Sequence, residues 1–425
     1  MNIAPLLLCR ICRHWRDVAM AIPKLWVDLY FQPSALQGPQ LHTKLIPPEE
    51  LRFIDSWTAN ARPYPPSFRI IKHWPKREIL DECVNFKDFC ASPSIRSSRS
   101  LELELSRNDF HAICASQTPF QNLEYLMMAG TLEDDGPPSS ISSKFPPARL
   151  LRWLHLDCGF SKSTQRITRT LPLVQLTHLC IEWDINDTEW PELLAQSPNL
   201  QYGIFKLYGR LALSTKATRL LLHNHMRQMI LQCMRFDGLP VIFEGLLFPV
   251  MQSLRLATPY GCQPSSCITT EELQVILKST PALAELHIQS YVKVSNPTDD
   301  SNQTQKSLSA YVPNLKVLVM DKVNNILSSR QVIPLLRSDW LNRGWPSTSR
   351  IQVEIVLISL RHFFSSTAAV KAILDHVDSR RSEGADNSVE VVLRQEDEAQ
   401  WEWTNPASRD MRDGWQETMR FYHEN

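Results

Sequence analysis

Few residues of this chain stand at spacings that do chemistry. Cys9 and Cys12 form a C-x-x-C pair, the spacing at which two thiolates can share a zinc ion or close a redox disulfide. A structural zinc needs two more ligands, and the sequence supplies neither a second C-x-x-C nor a matching His pair. Residues 9 and 12 also share one face of a helix, so the pair reads as core packing. His223 and His225 are two apart with no acidic residue at ligand spacing, and read as polar positions of a helix or turn. Asp134-Asp135 and Glu396-Asp397-Glu398 read as solvated acidic runs. There is no G-x-x-x-x-G-K-[ST] loop, no G-x-S-x-G elbow, no H-E-x-x-H and no G-x-G-x-x-G. Glycine, which phosphate-cradling loops need, is only 12 of 425 residues. The expectation is a chain with no catalytic residues, no cofactor and no metal: not an enzyme.

Bulk composition narrows the class further. Hydrophobic residues are 43% and charged residues 21%, enough for a sizeable core. Lys plus Arg equals Asp plus Glu, 45 each, so no net field favours nucleic acid or a membrane surface. Cys114, Cys158, Cys180 and Cys233 lie in apolar stretches and read as small buried hydrophobes of a reducing compartment. The apolar run Ile3–Cys9 is broken by Pro5 and followed by Arg10, Arg13 and Arg16, unlike a secretory leader. No stretch approaches the roughly 18 apolar residues of a membrane span. A cytoplasmic or nuclear location is expected.

The elements follow from periodicity. Residues 5–20 place Leu8, Ile11, Cys12, Trp15, Val18 and Ala19 on one apolar stripe, which predicts a single helix with Pro5 in its first turn. Pro23 ends it by pushing Ile22 out of the helical region. Trp26 and Leu29 then offer apolar groups that pack back.

Cys12, the run Trp15-Arg16-Asp17-Val18-Ala19, and then Pro23, Leu25 and Trp26 stand at the spacing of the closing helix and turn of the fungal F-box-like family, which residues 3–30 resemble. Trp57 to Ile70 shows a second similarity, a tryptophan followed by a polar turn, prolines and a short strand. The resemblance implies a substrate receptor that docks on the Skp-type adaptor of a cullin-RING ubiquitin ligase and holds an unknown target protein. Leu8, Ile11, Cys12, Trp15, Val18, Pro23 and Trp26 would form the docking segment, or pack the same side chains on the first turn of the fold. The family's opening Leu-Pro-x-Glu helix and second short helix have no counterpart ahead of Met1. This chain is therefore expected to bind the adaptor weakly or not at all. The alternative is a scaffold that has lost adaptor contact and binds a partner alone.

A loose L-x-x-L-x-L frame recurs with first positions at Ser98, Leu123, Leu151, Leu176, Leu200, Met226, Met251, Leu283 and Leu315, mostly 24–28 residues apart. That period is the leucine-rich-repeat range. Proline precedes the frame by four residues at Pro119, Pro147 and Pro172, and by two at Pro198, Pro249, Pro281 and Pro313, where it ends a helix and starts a strand. The ninth position, which holds asparagine or cysteine in the common repeat, here holds Ser106, Thr131, Gly159, Asp184, Tyr208, Met234, Pro259, Tyr291 and Val323. The asparagine ladder is absent.

The fold expected is therefore α/β: an irregular leucine-rich-repeat-like solenoid with a curved parallel sheet, behind a short α-helical F-box-like segment. The segment covers 1–32, and 33–95 connects and adds the first strand and helix elements. The solenoid covers 96–378, degenerating through a helix at Leu327–Leu336, a strand at Ile351–Leu360 and a helix at Ala368–Val377. Residues 379–425 hold a linker, a last strand at Val389–Leu393 and a charged tail with Trp401, Trp403 and Trp415. Polar loops are expected at Asp134–Ser143, Pro259–Thr270 and Ser295–Lys306.

Leu179 and Leu254 fall at mid-array frame positions. Leu179→Ala and Leu254→Ala are each expected to cost roughly 2–5 kcal/mol, read from urea midpoints. Midpoints equal to the parent's would show that the frame is misplaced.

Overall fold

The computed structural model describes residues 4–31, 48–70, 90–104, 110, 113–114, 118–131, 144–159, 170–185, 189–207, 221–233, 239–257, 268–288, 292–293, 307–323, 335, 338, 341, 351–359, 375 and 389–397. The helices expected at Leu327–Leu336 and Ala368–Val377 lie outside them apart from single positions. So do the tail beyond Asp397, the loops Asp134–Ser143 and Ser295–Lys306, and the Cys158 side chain. The chain forms two compact units, residues 1–183 and 184–425.

The first unit opens on α1 (Ala4–Ile11) and α2 (Arg13–Met20). The single helix expected over 5–20 is interrupted at Cys12, whose backbone is extended (φ −162°, ψ 172°). With the chain broken there, Arg16 Nε donates to the Cys9 carbonyl at 3.2 Å and satisfies an acceptor that the end of α1 leaves open. Ile22 leaves the helical region (φ −116°, ψ 88°) and Pro23–Trp26 forms a 3-10 turn. Trp26 and Leu29 are buried, and Trp26 Nε1 donates to Ala19 O at 2.8 Å. Helix α3 (Pro48–Ala61) brings Trp57 edge-on to Trp26, with ring centroids 4.9 Å apart.

Strands β1 (Asp28–Phe31), β2 (Ser67–Ile70), β3 (Ser100–Glu104), β4 (Tyr125–Thr131), β5 (Trp153–Gly159) and β6 (His178–Ile185) pair in that order, all parallel. The L-x-x-L-x-L frame sets their register. Leu101, Leu126, Leu154 and Leu179 lie opposite one another, as do Leu103, Met128, Leu156 and Ile181. The ladder begins earlier than the frame did: Leu29 and Phe68 extend the first of these columns through β1 and β2. Thr131 and Gly159, at the frame's ninth position, pair as strand residues.

The second unit repeats the arrangement with β7 (Tyr202–Leu207), β9 (Gln228–Cys233), β11 (Ser253–Ala257), β13 (Glu285–Ile288), β15 (Val317–Val323), β16 (Ile351–Ser359) and β17 (Val389–Asp397), again wholly parallel. Gly203, Met229, Leu254, Leu286, Leu318, Val353 and Val391 share one register position. Two minor parallel pairs join β8 (Leu221–Leu222) to β10 (Leu246–Leu247) and β12 (Ile268–Thr269) to β14 (Val292–Lys293). The strand expected at Val389–Leu393 runs on to Asp397. Glu396 and Asp397, read from sequence as a solvated acidic run, pair there with Ile358 and Ser359 and prolong the ladder. Helical returns cover the strands: α4 (Glu189–Gln196) buries Trp190, Leu193 and Leu194, and α5 (Thr270–Lys278) buries Leu273, Ile276 and Leu277. A capping box opens α5, with Thr269 Oγ1 accepting from Glu272 N and Glu272 Oε2 accepting from Thr269 N. Each unit is thus α/β on an open parallel sheet.

Every first frame position, from Ser98 to Leu315, is buried. Ser98 satisfies its hydroxyl by donating to Ile95 O at 2.7 Å. A further set of buried positions, three residues ahead of the frame, was not visible in the sequence: Ile95, Phe120, Ala148 and Leu173 in the first unit, and Ser197, His223, Phe248, Thr280 and Val312 in the second. Within each unit a backbone bond links neighbouring frames one residue in, as in Glu124 N→Arg99 O, Arg152 N→Glu124 O, Gln252 N→Arg227 O and Ala284 N→Gln252 O, at 2.7–2.9 Å. These bonds satisfy the backbone just where each strand begins.

Gly203 is the one frame position without a side chain, and the Phe205 ring fills the space: a Cβ on Gly203 would run into it. Phe205 in turn packs edge-on against Trp190 at 4.6 Å. Gly203→Leu is therefore expected to destabilise by about 1–3 kcal/mol through overpacking. Adding Phe205→Leu, which restores the leucine frame, should recover part of that loss. Denaturant midpoints of the single and double variants check it.

Candidate functional site

The seven docking-segment candidates do not share one fate. Trp26 is buried; Leu8, Val18 and Pro23 are half-buried; Cys12 is exposed, Ile11 is 63% exposed and Trp15 44%. Core packing therefore accounts for the inner half only, and the reading of Cys9 and Cys12 as core fails at Cys12. The break at Cys12 turns that face outward. Leu7, Met20 and Ile22 are exposed as well, so half of the ten large apolar side chains exposed among the described residues fall within residues 7–22. The segment is held from behind by Ala19, Trp26 and Trp57, all buried. An anchored helical segment with an uncovered apolar face is suited to protein contact.

The second feature lies on the sheet of the first unit, on the face opposite the leucine columns. Strand alternation sends the residues between frame positions there. Arg69 Nε meets Glu102 Oε2 at 2.9 Å. His155 Nε2 meets Glu182 Oε1 at 2.7 Å. Trp153 and His178 stack at 3.4 Å between centroids, nearly coplanar, and Thr177 Oγ1 hydrogen-bonds His178 Nδ1 at 2.9 Å. Burial raises the Glu102 carboxyl above its ordinary range, opposed by Arg69 and His155. Tyr125 is pushed up by burial and further by Glu102. Burial pushes His178 down to about 3, so it is neutral. Cys180, directly opposite His155 in the register, is fully buried and its thiol is pushed far up by burial, reinforced by Glu182 and Asp157. A row of stacked rings, ion pairs and neutral imidazole can recognise a partner's polar groups; it presents no activated nucleophile.

Several other polar groups among the described residues are structural. Cys114, Cys180 and Cys233 are buried as expected, and burial raises Cys114 to about 12. A cleft of about 630 Å³ beside Tyr64 and Pro66 is edged by side chains that cap backbone, such as Arg96 Nη1 on Thr118 O and Asn122 Nδ2 on Ser97 O. His223 is not a surface residue: it occupies one of the buried positions ahead of the frame and donates from Nε2 to Ser197 O at 2.8 Å. His225 lies in an exposed bend. Compared with protein-family models and with curated proteins, the chain matches none of them.

Two histidines of the second unit carry a pH dependence. Burial lowers His223, and burial with nearby Arg255 lowers His287 to about 4. Above about 6.5, where an unfolded chain's histidine titrates, neither state binds the proton and titration of the two histidines leaves stability unchanged. As pH falls further the unfolded chain takes up protons that the folded chain refuses, so stability drops, through His287 between about 6.5 and 4. The limit is about tenfold in the folding equilibrium per pH unit for each histidine. His287→Gln should flatten that acid limb in denaturant midpoints measured across the window. A limb parallel to the parent's would remove His287 from the account.

Proposed function

We propose that this chain is a non-catalytic protein-interaction module: a leucine-rich-repeat-like solenoid with a curved sheet, whose N-terminal segment docks an adaptor of the Skp type while the sheet holds a target protein. On this reading it is a substrate receptor of a cullin-RING ubiquitin ligase, and other subunits transfer ubiquitin. The observation that carries it is the uncovered apolar face of Leu7, Ile11, Trp15, Met20 and Ile22 on a segment anchored by Trp26 and Trp57. The spacing of Trp15, Pro23 and Trp26, which resembles the F-box-like family, supports the choice of occupant. The in-register leucine frame at a period near 25 residues supports the solenoid. No described helix is long and apolar enough to cross a membrane.

A second reading, a scaffold that binds through its sheet alone, draws on the row from Arg69 to Glu182. Calorimetric titration with a Skp-type adaptor separates the two. Stable interfaces bury on the order of 1,000 Å² or more, and the exposed face of residues 7–22 is one short segment of surface. The first reading therefore expects weak binding by this chain, and tighter binding when the family's opening helix pair is fused ahead of Met1. Trp15→Ala should weaken the fused form by about tenfold or more, as loss of a buried aromatic anchor does. Absence of binding by both forms would leave the scaffold reading; submicromolar binding by the chain alone would show that the opening helices are dispensable.

A further inference from the structure

The row on the first unit's sheet contains a set of donors that neither docking nor packing explains. Cys180 and Glu182 are two apart on β6, so the pleat sends both to one face. The parallel register sets His155 of β5 directly opposite Cys180. One imidazole nitrogen, one thiol sulfur and one carboxylate oxygen thus meet, all within 4.8 Å of one another. The sulfur is enclosed, the imidazole is 13% exposed and the carboxylate 34%, so the group opens to solvent on its carboxylate side. Asp157, two residues beyond His155, follows on the same face of β5 and adds negative potential at the sulfur.

We propose that His155, Cys180 and Glu182 bind a divalent transition-metal ion of the zinc type. The donor set decides the class. Calcium and magnesium take oxygen ligands, whereas nitrogen with sulfur and one carboxylate suits zinc or cobalt. Bond lengths of about 2.0–2.3 Å in a tetrahedron put ligand atoms about 3.3–3.6 Å apart, so the three atoms close by about 1 Å from their widest present separation. Two ligands two apart on one strand and one from its neighbour form a triangle on one face, which leaves the fourth position pointing outward. A water, or a side chain of a bound protein, completes it. Binding exchanges the imidazole–carboxylate pair for metal bonds, and the proton that pair shares moves to the other ring nitrogen or to solvent. The Cys180 S–H bond breaks, sulfur keeps the electron pair and bonds the ion, and the proton passes to solvent. Affinity consequently rises with pH. The inference is independent of adaptor docking, because none of its residues belongs to residues 1–32.

Cobalt titration of the full chain tests it. The Cys9→Ser/Cys12→Ser variant serves as background, since that C-x-x-C is a second place at which thiols stand at metal-ligand spacing. The expected result is a thiolate-to-cobalt charge-transfer band that saturates at one equivalent, is displaced by zinc, and is absent after Cys180→Ser. His155→Gln and Glu182→Gln should each weaken cobalt binding by about tenfold or more. If Cys180→Ser proves unfolded by circular dichroism, the Glu182→Gln variant, altered at a partly exposed carboxylate, gives the reading. No band in the background protein, a band unchanged by Cys180→Ser, or cobalt affinity unmoved by Glu182→Gln would overturn the proposal.

Discussion

The structure rests on one constraint: a parallel strand cannot bury its own apolar residues. A strand of four to nine residues gains little by itself. Its leucines lose water only when the next strand sets a leucine at the same height. In each unit the frame residues satisfy this almost without exception, so Leu154 sits between Leu126 and Leu179, and Leu254 between Met229 and Leu286. The backbone bonds that join each frame to the next hold these columns in step, since a slip of one residue would turn every apolar side chain to the opposite face. The exceptions follow the same rule. Gly203 is tolerated because the Phe205 ring occupies its space, and Ser98 because the Ile95 carbonyl accepts its hydroxyl.

The same register makes the opposite face. Because the columns fix alternate residues inward, the residues between them are carried into columns of their own, whatever their chemistry. Arg69 and Glu102 meet this way, as do His155 and Cys180, although about thirty positions separate each pair in the chain. The leucine period thus works as a positioning device, bringing polar side chains from successive units into one row. Partial burial raises the electrostatic stakes there: carboxyl, phenol and thiol are all pushed toward their neutral forms, and Arg69 opposes that push at Glu102.

At the N-terminus the balance is different. Trp26 and Trp57 pack against each other and tie the helical segment to the first strands, while the extended residue Cys12 divides the apolar stripe. On either side of the break Leu7, Ile11, Trp15, Met20 and Ile22 face water, while Ala19 and Trp26 are covered. Large apolar side chains left partly in water gain less from folding than buried ones, and five of them within one short segment form the apolar surface on which the proposed docking rests.

The leucine frame, the proline phase, the stop at Pro23 and the burial of Trp26 were legible in the sequence, because each follows from local chemistry: apolar period, fixed φ, excluded helical backbone. The strands at Leu29 and Phe68 were less legible, since too few apolar neighbours mark them as frame. The buried set containing Ser197, His223 and Thr280 escaped notice because residue type there is mixed and burial alone defines it. The break at Cys12 carries no proline or glycine to announce it, and the exchange of Gly203 with Phe205 looks like a lost repeat until the ring is seen in the gap. The meeting of His155, Cys180 and Glu182 was decided only by tertiary structure. A hydrophobic period specifies which residues face inward, but which polar residues face one another depends on how many residues each return takes, and that is settled by strand pairing, not by any local preference of the residues themselves.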